Sequence, residues 1–205
     1  MKSETTLTRL TMNDIDWATT LLTDAFLNEP PIPQLFHEPH QRQKATYFMK
    51  CGCAYALLFG ECYTTSERDG VALWLLPGKT AMTPGRMYQA GMFAAPFKMG
   101  LGGFSRFMGF VSHTDKHHKE SAPMPHYYLF VLGVKPSAQG KGVGAFLLKS
   151  MLERIDEEKM PTYLETQKES NVGLYQKFGF EVAAQGAFPK LEGLHNWGML
   201  RKAIA

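Results

Sequence analysis

The chain has 205 residues, 44% of them hydrophobic and 20% charged, a balance that excludes extensive disorder and suits one domain with an ordinary core. Its formal charge of +3 sets 22 Lys and Arg against 19 Asp and Glu with no basic run, so no nucleic-acid partner is expected. Cys51, Cys53 and Cys62 make no disulfide framework and no apolar stretch reaches the length of a membrane span, so a cytoplasmic protein without membrane contact is expected.

Leu7-Thr8-Arg9-Leu10 alternates as a strand does. Asn13 or Asp14 then caps a helix carrying Ile15, Trp17, Ala18, Leu21, Leu22, Ala25 and Phe26, which Glu29-Pro30-Pro31-Ile32-Pro33 ends. A second helix is predicted from about His40 to Phe59, with Gly60 past its end. Glu61–Ser66 and Val71–Leu76 flank Asp69-Gly70 and read as a hairpin. Thr80–Gly109 is rich in Met, Phe and Gly. It predicts short helices packed on the body, or a hydrophobic wall for a ligand. Ser112–Pro125 reads as a polar loop.

The last eighty or so residues are more strongly patterned. His126–Val134 is a buried apolar strand, Ser137–Gly144 a turn, and Ala145–Lys159 a helix with Leu148, Met151, Leu152 and Ile155 on one face. Thr162–Thr166 is a strand, Asn171–Phe178 a short helix before Gly179, and Phe180–Ala184 and Asn196–Arg201 are strands. This order means an α/β fold with a parallel pair at its centre.

Gly140, Gly142 and Gly144 lie between a buried strand and an amphipathic helix. Glycines there expose successive backbone N–H groups beside a helix N-terminus, a concave site suited to a pyrophosphate. Lys141 is followed by glycine, which excludes a Walker A loop, and the glycine spacing is wrong for a dinucleotide fingerprint. A merely structural turn is the plainer reading.

Gln139, Gly142 and Gly144 fit the pattern Gln/Arg-x-x-Gly-x-Gly/Ala and resemble the acetyl-CoA loop of the GNAT N-acetyltransferases. Downstream, the run from Asn171 through Leu174-Tyr175 to Gly179-Phe180 looks like that family's second signature, with one residue fewer before Leu-Tyr. Val134–Val182, including Leu164-Glu165-Thr166, is similar to the puromycin N-acetyltransferase-like branch, and Val71–Trp74 and Trp197–Lys202 also find counterparts there.

The resemblance implies a twisted mixed β-sheet whose central parallel strands splay apart, flanked by helices. It would form a single domain over 1–205 with a helical insertion at about 79–125. It implies acetyl-CoA as cosubstrate, no metal, and direct acetyl transfer to an amine of a small molecule, by a monomer or homodimer. A peptide or protein α-amine acceptor, and a non-catalytic CoA-binding regulator, stay open.

By the same resemblance Leu132, Gly133, Val134, Gln139, Gly140, Lys141, Gly142, Val143, Gly144, Asn171 and Tyr175 would contact acetyl-CoA. Backbone groups of Leu132 and Val134 would pair with the pantetheine arm like an added strand, one N–H polarising the acetyl oxygen. Tyr175 is the implied acid, its ordinary pKa of roughly 10 lying near a thiol's 8.5. Taken alone, a Tyr on a short apolar helix is a packing residue.

Many relatives carry Glu or His where this chain has Tyr128 and Phe130, so the base falls to Glu165, acting through a water. The plainer reading of Glu165 is a solvated strand-end carboxylate. Glu29 is either a substrate-binding carboxylate for an ammonium group or a surface residue. His113, His117 and His118 belong to the expected polar loop, and could hold a metal only if helical. Cys51-Gly52-Cys53 reads as buried thiols on a helix, and His126 as structural.

Overall fold

The structure, a computed structural model, describes residues 5–37 and 39–204. Strand β1 (Leu7–Arg9) leads into helix α1 (Ile15–Phe26), followed by α2 (Pro31–Leu35), α3 (Gln41–Phe59) and the hairpin of β2 (Gly60–Thr65) and β3 (Gly70–Leu75). Helices α4 (Pro84–Gln89) and α5 (Ala95–Ser121) precede β4 (Tyr127–Val134). Then come α6 (Val143–Glu157), β5 (Thr162–Thr166), α7 (Glu169–Gln176), β6 (Glu181–Ala187) and β7 (His195–Arg201).

The strands form one seven-stranded sheet in the order β1-β2-β3-β4-β5-β7-β6. All neighbours are antiparallel except β4 and β5, which run parallel. That pair is short: its register runs Tyr127↔Thr162, Tyr128↔Tyr163, Leu129↔Leu164 and then ends. Beyond it, residues 131–134 of β4 keep β3 as their partner, past a bulge at Phe130, and the edge turned toward β5 has no strand partner among the described residues. The expected α/β architecture with a parted central pair is what the chain adopts.

Side-chain alternation along the strands divides the core. Val71, Leu73 and Leu75 of β3 pack with Tyr128 and Tyr163 under α1, α3 and α5. Ala72 and Trp74 pack with Leu129, Leu164 and the Leu148–Ile155 face of α6 on the other side. Tyr175 belongs to this second layer. Central strands buried on both faces explain why β3 has no polar face in its sequence.

Two segments depart from expectation. Pro31 and Pro33 sit in the first turn of α2, where a missing N–H breaks no bond, so the proline run begins a helix as well as ending one. Ser112–Pro125 is not a polar loop: α5, kinked at Gly100, continues to Ser121. Its last turns carry an Asp115–Lys119 pair and the buried ring of His118. Cys51, Cys53 and Cys62 are buried free thiols. No helix among the described residues is long and apolar enough to cross a membrane.

Candidate active site

Where β4 and β5 part, the sheet opens and a cavity of about 200 Å³ passes between its two layers. Glu165, Tyr175, Asn171, Leu132 and Glu29 line it. Tyr175 approaches from the α6 side. Glu165 lies two residues from Tyr163 on β5, hence on the α3–α5 side. A closed sheet would separate the two side chains; the parting brings them to one space.

Glu165 is not a solvated strand-end residue. It is half-buried, and its oxygens accept from three donors: the Tyr128 hydroxyl at 3.1 Å, the Tyr163 hydroxyl at 3.0 Å and Asn196 Nδ2 at 3.1 Å. Removal from water raises its pKa to about 7, against the opposing pull of these hydrogen bonds. Tyr128, on the neighbouring strand, thus steadies this carboxylate.

Further contacts hold these donors in place. Asn196 is fully buried and accepts from Gln167 Nε2 at 2.7 Å. The His118 ring stacks on Tyr163 with centroids 4.6 Å apart and planes 12° off parallel. His126 Nδ1 lies 2.6 Å from the Met124 carbonyl, so it donates there, and its Nε2 accepts from His118 Nε2 at 2.7 Å. Burial lowers His118 to about 4, which keeps that ring neutral. Gly198 stands opposite Glu165 in the β5–β7 register, and a Cβ there would lie 2.5 Å from the Tyr163 hydroxyl. The missing side chain is what leaves room for that hydroxyl. Tyr163-x-Glu165 on one strand face was the only local sign of this network; Asn196, thirty-one residues away, left none.

Asn171 and Tyr175 lie one turn apart on α7, so both face the cavity. Asn171 Nδ2 donates to Thr166 Oγ1 at 3.2 Å. The Tyr175 hydroxyl bonds to none of the described residues, and burial alone pushes it up to about 12, above the value near 10 read from sequence. Glu29 reaches the rim but is paired with Lys168 at 2.9 Å.

Gly133, Val134 and the loop from Gln139 to Gly144 do not line the cavity; they lie beyond it, at the end of β4 and the start of α6. The absent Cβ of Gly133 lets Leu22 and Phe26 of α1 pack on the strand. Gln139 Nε2 donates to the Val134 carbonyl at 3.2 Å and Lys141 Nζ to the Ser137 carbonyl at 2.9 Å, closing the turn. Gly140 and Gly142 have φ of 75° and 85°, and neither would meet an atom within 4 Å of an added Cβ. The N–H groups of residues 140–145 donate to none of the described residues. This bare row of donors stands at the start of a 15-residue helix, where the helix dipole is positive. His113, His117 and His118 lie on α5, yet no group of three or more metal-ligating side chains is assembled among the described residues.

A family model described as the acetyltransferase (GNAT) family matches residues 86–180. An uncharacterized N-acetyltransferase of Schizosaccharomyces pombe is 26% identical over 179 residues, covering 84% of this chain and 72% of that protein. Over residues 86–180, from within α4 to past α7, the chain is similar to the GNAT acetyltransferases. Its fold is similar to a Corynebacterium glutamicum structure described as histone acetyltransferase HPA2 and related acetyltransferase, with a TM-score of 0.69 at 22% identity over 99% of this chain and 98% of that one. It also resembles the polyamine N-acetyltransferase of Drosophila melanogaster, with a TM-score of 0.66 at 12% identity over 97% and 100% of the two chains. At these identities the likeness concerns the fold.

Proposed function

We propose that this protein moves the acetyl group of acetyl-CoA directly to a primary amine of a small molecule. The observation that carries the reading is the parting of β4 and β5, which brings a carboxylate and a phenol from opposite faces of the sheet to one cavity. The GNAT family generally uses acetyl-CoA, and the site fits it. The N–H groups of residues 140–145 and the start of α6 suit a pyrophosphate, and the unpaired edge of β4 suits an amide-bearing arm. Leu132 and Val134 would pair with that arm through backbone groups, and one of their N–H groups would draw on the acetyl oxygen. Leu164-Glu165-Thr166 and its spacing to Tyr175 support placing the chain beside the puromycin N-acetyltransferase-like branch.

Acetyl-CoA supplies an activated acyl carbon and a sulfur that leaves as thiolate. Glu165, with a pKa raised to about 7, is basic enough near neutrality to take a proton from the acceptor's ammonium, directly or through a water, leaving the free amine to attack the acyl carbon. Tyr175 has no competing partner among the described residues and offers its proton toward the departing sulfur. With a pKa near 12 it holds that proton until charge develops on the acceptor of its hydrogen bond. The amine acylation named for the Drosophila neighbour is a reaction of this fold.

The test is thiol release from acetyl-CoA with a panel of primary amines, set beside CoA binding by titration. Release that depends on an amine, with a matching mass gain on it, is expected. CoA binding without release for any amine would leave a regulator and overturn the reading.

A further inference from the structure

Behind Glu165 the cavity runs into a wall assembled by segments that carry none of the family's motifs. Phe48 and Met49 come from α3, Met82 and Met92 from either side of α4, and Phe107 and Phe110 from α5. Aromatic faces and thioethers match flat apolar groups through dispersion and sulfur–ring contact. The charged groups on the wall are few. Glu165 stands at the parted strands, and Glu29 is already paired with Lys168 at the rim. A second ammonium entering this space would find no unpaired carboxylate among the described residues, and burying it would be costly.

Size narrows the choice. A cavity of about 150 Å³ lined by Leu, Ile and Phe admits benzene. The space here is about 200 Å³ and part of it adjoins the parted strands. One ring on a short linker fills that volume; a longer chain would have to extend out of it.

Gly52 on α3 is the position that keeps this room. It lies in the cavity wall, and an added Cβ would meet only Phe130 Cε1, at 3.8 Å. Nothing in its helical backbone demands glycine, and leucine is the better helix former. A larger side chain at Gly52 therefore projects into the cavity without disturbing the helix that bears it.

We propose that the acceptor is a primary amine with a single positive charge on a compact one-ring aromatic body, and that Gly52 sets the room for that ring. The proposal rests on the acetyl-transfer reading above. The amine nitrogen meets Glu165, and the ring fills the Met- and Phe-lined end.

The probes are 2-phenylethylamine, methylamine, spermidine and a tetrapeptide with a free α-amine, each assayed for acetylation and, with CoA bound, for a thermal shift. The proposal expects kcat/KM for 2-phenylethylamine to exceed that for spermidine and the peptide by at least about tenfold, the worth of a well-filled apolar pocket. It also expects a thermal shift with 2-phenylethylamine that methylamine does not give. Gly52→Leu should cut kcat/KM for 2-phenylethylamine by about tenfold or more and leave methylamine within roughly twofold, with an unchanged or higher melting temperature. Gly52→Ala should show the same order of loss in smaller measure, and serves if the leucine variant fails to fold. Spermidine or peptide ahead of 2-phenylethylamine overturns the acceptor class while leaving acetyl transfer intact. Equal loss for both amines in the Gly52 variants overturns the role of that residue. No turnover of any amine overturns the acceptor class together with the reading beneath it.

Discussion

The loop at residues 139–144 and the cavity behind Glu165 are built from different material. The loop is backbone: two glycines in the left-handed region and a row of N–H groups facing outward, with no buried side chain needed. The cavity is side chain, drawn from α2, α3, α5, β4, β5 and α7, with a carboxylate that three donors must hold at once. A site of the first kind fails locally when its backbone is altered. One of the second kind can be retuned from a distance.

Substitutions on each side sharpen that contrast. Tyr175→Phe should lower kcat by about 10²–10⁴, the worth of a positioned acid. Its hydroxyl has no partner among the described residues, so the melting temperature should hold. Full turnover in this variant, with the fold intact, would remove Tyr175 from the chemistry. Glu165→Gln should lower kcat/KM by about 10² at neutral pH, with partial recovery at alkaline pH as free amine becomes abundant.

The wild type should show a rise in kcat/KM centred near pH 7, where Glu165 ionises. Stability gives the opposite sign. A carboxyl raised from 4.5 to about 7 favours the folded state fully below 4.5 and loses that contribution as pH rises through about 7. Glu165→Gln should therefore gain melting temperature relative to wild type above pH 7 and gain none below pH 4.5. A pH-independent difference would place the ionisation elsewhere.

On the loop side, Gly142→Val meets a φ of 85° that a β-branched residue rejects. Saturating CoA should stabilise the wild type by about 2.7 kcal/mol at a hundredfold excess over Kd, and the variant hardly at all. An unchanged thermal shift would move the anion site away from this loop. The smallest effect is expected from Tyr128→Phe, which removes one donor from Glu165. A hydrogen bond of about 1 kcal/mol favouring the ionised form corresponds to somewhat under one pH unit. The activity midpoint should move up by that much, and a midpoint that stays put would detach Tyr128 from the tuning of Glu165.

The same contrast decides what was legible in the sequence. The loop is contiguous, and so is the α7 signature, so Gln139 through Gly144, Asn171 and Tyr175 could be picked out before any fold was known. The strand and helix order from β4 onward followed from periodicity in the same way. The Met- and Phe-rich segment was legible as a hydrophobic wall, and Met82, Met92 and Phe107 do line the cavity; what it faces could not be read, because Gly52 and Phe48 meet it only after the chain has folded around them. The polar end of α5 was missed because its apolar period stops near Val111, while burial of His118 depends on Tyr163 and His126 across the connection to β4. The proline run was misjudged because its prolines fall at a helix start, where their usual penalty does not apply.

Gly198 gives this arrangement a lever on the pH at which Glu165 ionises. It touches no reacting atom, yet the Tyr163 hydroxyl holds its place beside Glu165 only while position 198 lacks a Cβ. A single methyl there, pushing that hydroxyl aside, withdraws a hydrogen bond from the ionised carboxylate and raises its pKa further. Descendants of this chain could thus move into more alkaline surroundings, or be confined to them, through a change on a neighbouring strand, with every residue that meets the substrates left as it is.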